Sequence, residues 1–194
     1  MNFLAHIYLS GDNQLIQIGN FMADGIRGKY YELYPPDIQK GIMLHRAIDT
    51  FTDAHPVFRQ STKKLHQHYH HYSGVIIDIF YDHFLAKNWD DYSEQPLAHY
   101  TAGFYKTLQD HYNLLSDKTK RILPIMLRED WLTSYATIDG ISHILKQMDR
   151  RSGNKSGMQY SVTELLEFYD AFEFEFKQFF EEMRKHAGQK LSEL

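Results

Sequence analysis

Residues 75–89, VIIDIFYDHFLAKNW, decide how this chain folds. The segment is apolar on nearly every side of a helical turn, so it predicts a central helix buried all round. Asp78, Asp82 and His83 interrupt it. Ionised carboxylates are costly to bury alone, and two of them one turn apart raise each other's pKa until one is neutral. The segment therefore calls for positive charge in the core: a divalent cation, or else Arg side chains and helix termini as partners. Asp78 and His83 stand about 140° apart on an ideal helix, so at least one of the three polar residues serves packing or orients the others.

Outward from this helix, 3–4 spacing of apolar residues recurs along the chain. Residues 2–10 predict a short helix carrying His6, and Gln14 to Arg27 a second, on which Asn20 and Asp24 share a stripe apart from Leu15, Ile18, Met22 and Ile26. After the Tyr34-Pro35-Pro36-Asp37 break, a third places Ile38, Ile42, His45, Asp49 and Thr52 on one side. Further helices are expected over 58–72, 96–115, 118–132 and 137–150, with Asp12 and Asp53 as N-caps and Arg150 to Gly157 (RRSGNKSG) as a loop. Ser161-Val162-Thr163-Glu164 has the form of a capping box, opening a helix with Leu165, Tyr169, Phe172, Phe176, Phe179 and Met183 on one face. No alternating strand pattern, hairpin signal or internal repeat occurs, so the fold class is all-α. A length of 194 residues fits a single helical domain over 1–194.

Composition narrows the chemistry. With no cysteine, disulfides, thiolate metal sites and cysteine nucleophiles are excluded, and any metal must be held by the 12 His and 25 acidic residues. The formal charge of −4 offers no general attraction for nucleic acid, and no apolar stretch is long and unbroken enough for a membrane span or a signal peptide. A cytoplasmic protein is expected.

On a helix, His45 and Asp49 stand one turn apart, close enough to share a metal ion or simply to hydrogen-bond each other. Asp78 and Asp82 repeat that spacing. Asp24, with Gly25, Arg27 and Gly28 after it, is a third candidate, or a helix-end acid paired with Arg27. His6 is either a ligand or a satisfied core histidine. His66, His68, His70 and His71 read as a solvated face. No nucleophile elbow, phosphate-binding glycine loop or H-E-x-x-H occurs. What remains is a helical His/Asp metal site suited to phosphoester hydrolysis, with metal-activated water as nucleophile and a His as proton donor. Arg27 and Arg46 are the phosphate-binding candidates, because a guanidinium donates in a planar fork. Arg150 and Arg151 could meet an acidic partner or simply end a helix.

The motifs NFLAH (2–6), GNFMADGIRG (19–28), GIMLHRAIDTFTD (41–53), DIFYDHFL (78–85) and DWLTSY (130–135), with the Arg150-Arg151 pair, resemble those of acyl carrier protein phosphodiesterases in the same order. The resemblance implies an all-α fold similar to HD-domain phosphohydrolases. It further implies a divalent-metal enzyme, using Mn²⁺ with Mg²⁺ or Fe²⁺ as alternatives, that cleaves 4′-phosphopantetheine from holo-acyl carrier protein. By position it assigns Asp24, His45, Asp49, Asp78 and Asp82 to the metal and Asp24, His45, His83 and His6 to catalysis. No further cofactor is expected. Rival readings are a nucleotide or small-phosphoester hydrolase of the HD type, and a non-enzymatic all-α binding protein.

Overall fold

A helix that is apolar all round is stable only if other helices enclose it, and the computed structural model, which describes residues 1–194, shows that enclosure. The helices are α1 (Phe3–Tyr8), α2 (Gln14–Met22), α3 (Pro36–Ala54), α4 (Pro56–Tyr69), α5 (Ser73–Lys87), α6 (Leu97–Asp110), α7 (Asp117–Glu129), α8 (Trp131–Ser134), α9 (Ile138–Arg151), α10 (Val162–Glu167) and α11 (Tyr169–Glu193), joined by short 3₁₀ turns and loops. There is no strand. In the middle lies α5, touching α1, α4, α9 and α11, with Ile76, Ile77, Ile79, Phe80, Tyr81, Phe84 and Leu85 completely buried. The long α11 lays Phe172, Phe176 and Phe179 against it, and Tyr81 meets Phe176 edge-on with ring centroids 5.6 Å apart, the offset that ring quadrupoles favour.

The most extensive helix pairing is α2 with α3. It depends on two glycines. A Cβ on Gly19 would lie 2.2 Å from the Ile38 carbonyl oxygen, and one on Gly41 would lie 2.1 Å from the Ile16 carbonyl oxygen. The two backbones therefore touch where each lacks a side chain, which sets Asn20 on α2 directly beside His45 on α3.

Several local expectations are corrected by the contacts formed. Asn13, not Asp12, caps α2, its Oδ1 accepting from the amides of Leu15 and Ile16. Asp53 lies in the last turn of α3, and His55 Nδ1 caps α4 by accepting from the Val57 amide. The Ser161 hydroxyl donates to the Met158 carbonyl instead of closing a capping box, and the predicted continuous helix breaks at Phe168 between α10 and α11. The helix expected over 118–132 ends at Asp130, whose φ of +43° is left-handed, so that Trp131 starts a new turn in another direction. Arg150 and Arg151 belong to the last turn of α9, and the loop after them is tied down by buried Asp149, which accepts from Ser156 Oγ at 2.6 Å and the Gly157 amide at 3.0 Å.

Gly41→Ala should force α2 and α3 apart. Overpacking of this kind costs about 1–3 kcal/mol, and for a chain of this length each kcal/mol lowers Tm by about 2–4 °C. Thermal melts followed by circular dichroism measure it, and an unchanged Tm would contradict the close crossing.

Candidate metal centre

The centre is built on Asn20, a side chain with no solvent exposure. Its Nδ2 donates to the His6 carbonyl at 2.9 Å and to Ser10 Oγ at 2.9 Å. That fixes which end of the amide is which, so Oδ1 must face the two imidazoles, His6 Nδ1 at 2.7 Å and His45 Nδ1 at 3.2 Å. As Oδ1 can only accept, both Nδ1 atoms carry protons and donate. Both Nε2 atoms are left to point outward from a stacked pair of rings, centroids 4.0 Å apart.

What they point at is also electron-rich. His45 Nε2 lies 3.0 Å from Asp49 Oδ2 and 3.2 Å from Asp24 Oδ1, and His6 Nε2 lies 3.3 Å from Asp49 Oδ1. The ligating atoms of His6, His45 and Asp49 all fall within 4.8 Å of one another. Without a metal, protons must hold this cluster together, and they hold it unevenly. Burial works against a charged His45, but the bonds to Asp24 and Asp49 outweigh it and lift the imidazole to about 9. Burial and the neighbouring His45 push His6 down to about 4. Burial would raise Asp49, yet the bond from His45 and the nearness of His6 hold it well below the usual carboxylate range. At neutral pH the Nε2 lone pair of uncharged His6 thus faces a carboxylate oxygen with nothing between them. A cation at that point relieves the repulsion. Two imidazoles and two carboxylates suit a divalent transition ion, and Asn20 holds the far side of both imidazoles as metal-bound histidines require. The residues present therefore fit such an ion.

The cluster opens into a cavity of about 380 Å³. One wall comes from α1, α2 and α3 with the turn carrying Asp24, and the other from the segment α7 to α9. Lys118 reaches across from α7, its Nζ 4.0 Å from Asp24 Oδ2.

The family model for acyl carrier protein phosphodiesterases matches residues 1–183, which contain the entire cluster. The chain belongs to that family. The acyl carrier protein phosphodiesterase of Photorhabdus laumondii is 32% identical, with 98% of this chain and 96% of the relative covered. That of Escherichia coli is 31% identical, covering 98% of this chain and 99% of the relative. No solved structure matches the chain.

Within this acyl carrier protein phosphodiesterase fold, the site residues expected from the sequence divide. His6, Asp24, His45 and Asp49 come together, and Asp78 lines the same cavity while its Oδ1 accepts from the Met1 ammonium at 2.6 Å. Asp82 is engaged elsewhere, its two oxygens accepting from the amides of Asn2 at 3.1 Å and Leu4 at 2.7 Å and so capping α1. It does not line the cavity. Neither does His83, whose Nδ1 donates to the Tyr135 carbonyl at 2.7 Å and whose Nε2 accepts from Tyr169 Oη at 2.8 Å. Arg46 is bound to the Gly28 carbonyl at 2.8 Å and lies over the Tyr31 ring, and Arg27 borders a separate shallow pocket with Tyr30 and Leu33. The cations that do line the cavity are Lys118 and Arg151. Lys118 carried no sequence signal, being one of two lysines on an amphipathic helix. Asn20 had one, its shared stripe with Asp24, but an amide is not a metal ligand by type.

The bond that His83 Nε2 accepts from Tyr169 requires a neutral ring, and burial lowers the pKa below the usual 6.5 although the bond to the Tyr135 carbonyl works the other way. Because the unfolded chain takes up this proton first as pH falls, the contribution of His83 to stability is present above about pH 6.5 and is lost below it. His83→Gln keeps one donor and one acceptor but cannot titrate. Its melts between pH 7.5 and 5 should fall less with acid than those of the wild type, and parallel pH profiles would refute this role.

Proposed function

We propose that this chain hydrolyses the phosphodiester between 4′-phosphopantetheine and the serine of holo-acyl carrier protein, using a divalent cation held by His6, His45, Asp49 and Asp24. The observation that carries the metal is the convergence of acceptor atoms described above, with the Nδ1 proton of each imidazole fixed by Asn20. The substrate rests on the name shared by the family and the relatives. When bound, the cation supplies positive charge to phosphoryl oxygens and a water of lowered pKa.

The chain's own groups arrange the remainder. Asn20 holds both imidazoles in one tautomer and in nearly parallel planes, so their Nε2 atoms are oriented before substrate arrives. Asp24, more than half exposed and bonded on one side only, is placed to take the proton of the attacking water. Lys118, four ångströms from Asp24, takes the position assigned from sequence to Arg27 and Arg46, as the cation that meets a non-bridging phosphoryl oxygen. As water joins phosphorus, the bond to the serine oxygen breaks, and the proton released by the water returns to that oxygen. The products are apo-carrier and 4′-phosphopantetheine. The family resemblance makes Mn²⁺ the ion to test first, and Mg²⁺ or Fe²⁺ are the alternatives to compare.

Intact-mass analysis of holo-acyl carrier protein incubated with the purified protein and Mn²⁺ should show loss of the phosphopantetheinyl group, abolished by EDTA. Absence of that loss, or indifference to EDTA, would overturn the proposal. In the same assay Asn20→Ala should weaken metal affinity or activity by about 10–100-fold, the usual consequence of removing the partner of a metal-bound histidine.

A further inference from the structure

The cavity is larger than a phosphate and its metal need. Its second wall, from α7 to α9, is mainly apolar: Ile122, Trp131, Tyr135, Ile144 and Met148 line it. This wall follows from the local folding. The left-handed turn at Asp130 brings Trp131 round to the cavity, 5% exposed. On α9, Ile144, Gln147, Met148 and Arg151 recur at i, i+3, i+4 and i+7, which is one continuous stripe facing the cavity.

The polar groups on this wall are engaged elsewhere. Gln147 Nε2 donates to Glu129 Oε2 at 2.5 Å, and Glu129 also accepts from Trp131 Nε1 at 3.1 Å. The Arg151 guanidinium lies over Trp131, 5.2 Å from its ring centroid. The wall thus offers dispersion contact along its length, with a cation at the end of the α9 stripe. A volume of about 380 Å³ lies within the range of small-ligand clefts, roughly 300–1,000 Å³, and would be wasted on an inorganic anion. The fitting ligand has an anionic phosphoester at the His/Asp cluster and a slender, uncharged, largely aliphatic chain running along the opposite wall.

We infer that the wall formed by Ile122, Trp131, Ile144 and Met148 is the subsite for the pantetheine arm, with the phosphate alone at the metal cluster and Lys118. This rests on the phosphodiesterase reading for the identity of the arm. The arm's contact with this wall fixes which side of phosphorus faces the cluster. Substrates lacking the arm lose that positioning.

Isothermal titration of the Mn²⁺-loaded protein with 4′-phosphopantetheine and with inorganic phosphate tests the subsite without turnover. Met148→Trp and Ile122→Trp each fill the wall from a half-exposed position on a different helix, so the failure of one to fold leaves the other. Far-UV circular dichroism and Mn²⁺ stoichiometry should match the wild type. Affinity for 4′-phosphopantetheine should fall by about tenfold or more in the variants while that for phosphate stays within about twofold, because only the arm meets the filled wall. Equal affinity of the wild type for the two probes, or unchanged 4′-phosphopantetheine affinity in the folded variants, would overturn the subsite. A wild type that binds 4′-phosphopantetheine through this wall yet leaves holo-carrier intact would defeat the proposed reaction and leave the subsite standing.

Discussion

The contact of α2 with α3 at Gly19 and Gly41 is the constraint on which the rest depends. There the two helix backbones approach so closely that a methyl group on either would overlap the other's carbonyl oxygen. One residue beyond Gly19 comes Asn20, and one turn beyond Gly41 comes His45. The spacing that the glycines permit is what places an amide oxygen 3.2 Å from an imidazole carried by another helix. Each glycine weakens its own helix by roughly 0.5–1 kcal/mol relative to alanine, and here the loss is offset by geometry that alanine cannot reach.

Around that pairing, α1 must be held so that His6 stacks on His45. It has only six residues, too few to be stable alone. It is fixed from below by α5, where Asp82 takes two of its free N-terminal amides and Asp78 takes the Met1 ammonium. Burial raises Asp82 to about 7, against which the nearby ammonium and the two amide bonds work. The two carboxylates of the core helix are thus anchors for a segment that carries a ligand. Their link to the centre runs through the backbone of α1.

The helices were legible in the sequence because their apolar residues repeat at helical spacing, and the all-α class follows from VIIDIFYDHFLAKNW and the Phe-rich α11. Ends were less legible, since a cap is decided by which of two neighbouring polar side chains reaches a free amide. Asn13 does so where Asp12 does not. The pairing of His45 with Asp49 could be read from i,i+4 spacing within one helix. The joining of His6 and Asp24 to them was implied only by the family motifs and not by spacing, because it needs separate segments of the chain to cross at one point. His83 and Arg46 looked chemical by residue type and position in a motif, and both are satisfied by main-chain carbonyls that no sequence pattern displays.

The aspartates of this chain show what decides between structure and chemistry. Asp82, completely buried, faces backbone amides, whose hydrogens engage both of its oxygens. Asp24 and Asp49, 56% and 44% exposed at the side chain, face imidazole nitrogens of rings whose Nδ1 hydrogens are committed to Asn20 on the far side. Acceptors facing donors make a finished fold. Where Asp49 faces the unprotonated Nε2 of His6, acceptor meets acceptor and a cation completes the position, and the open side of Asp24 and Asp49 keeps it reachable from the cavity. The difference lies in the partner each carboxylate meets, and Asn20, an uncharged side chain, sets that partner for both histidines.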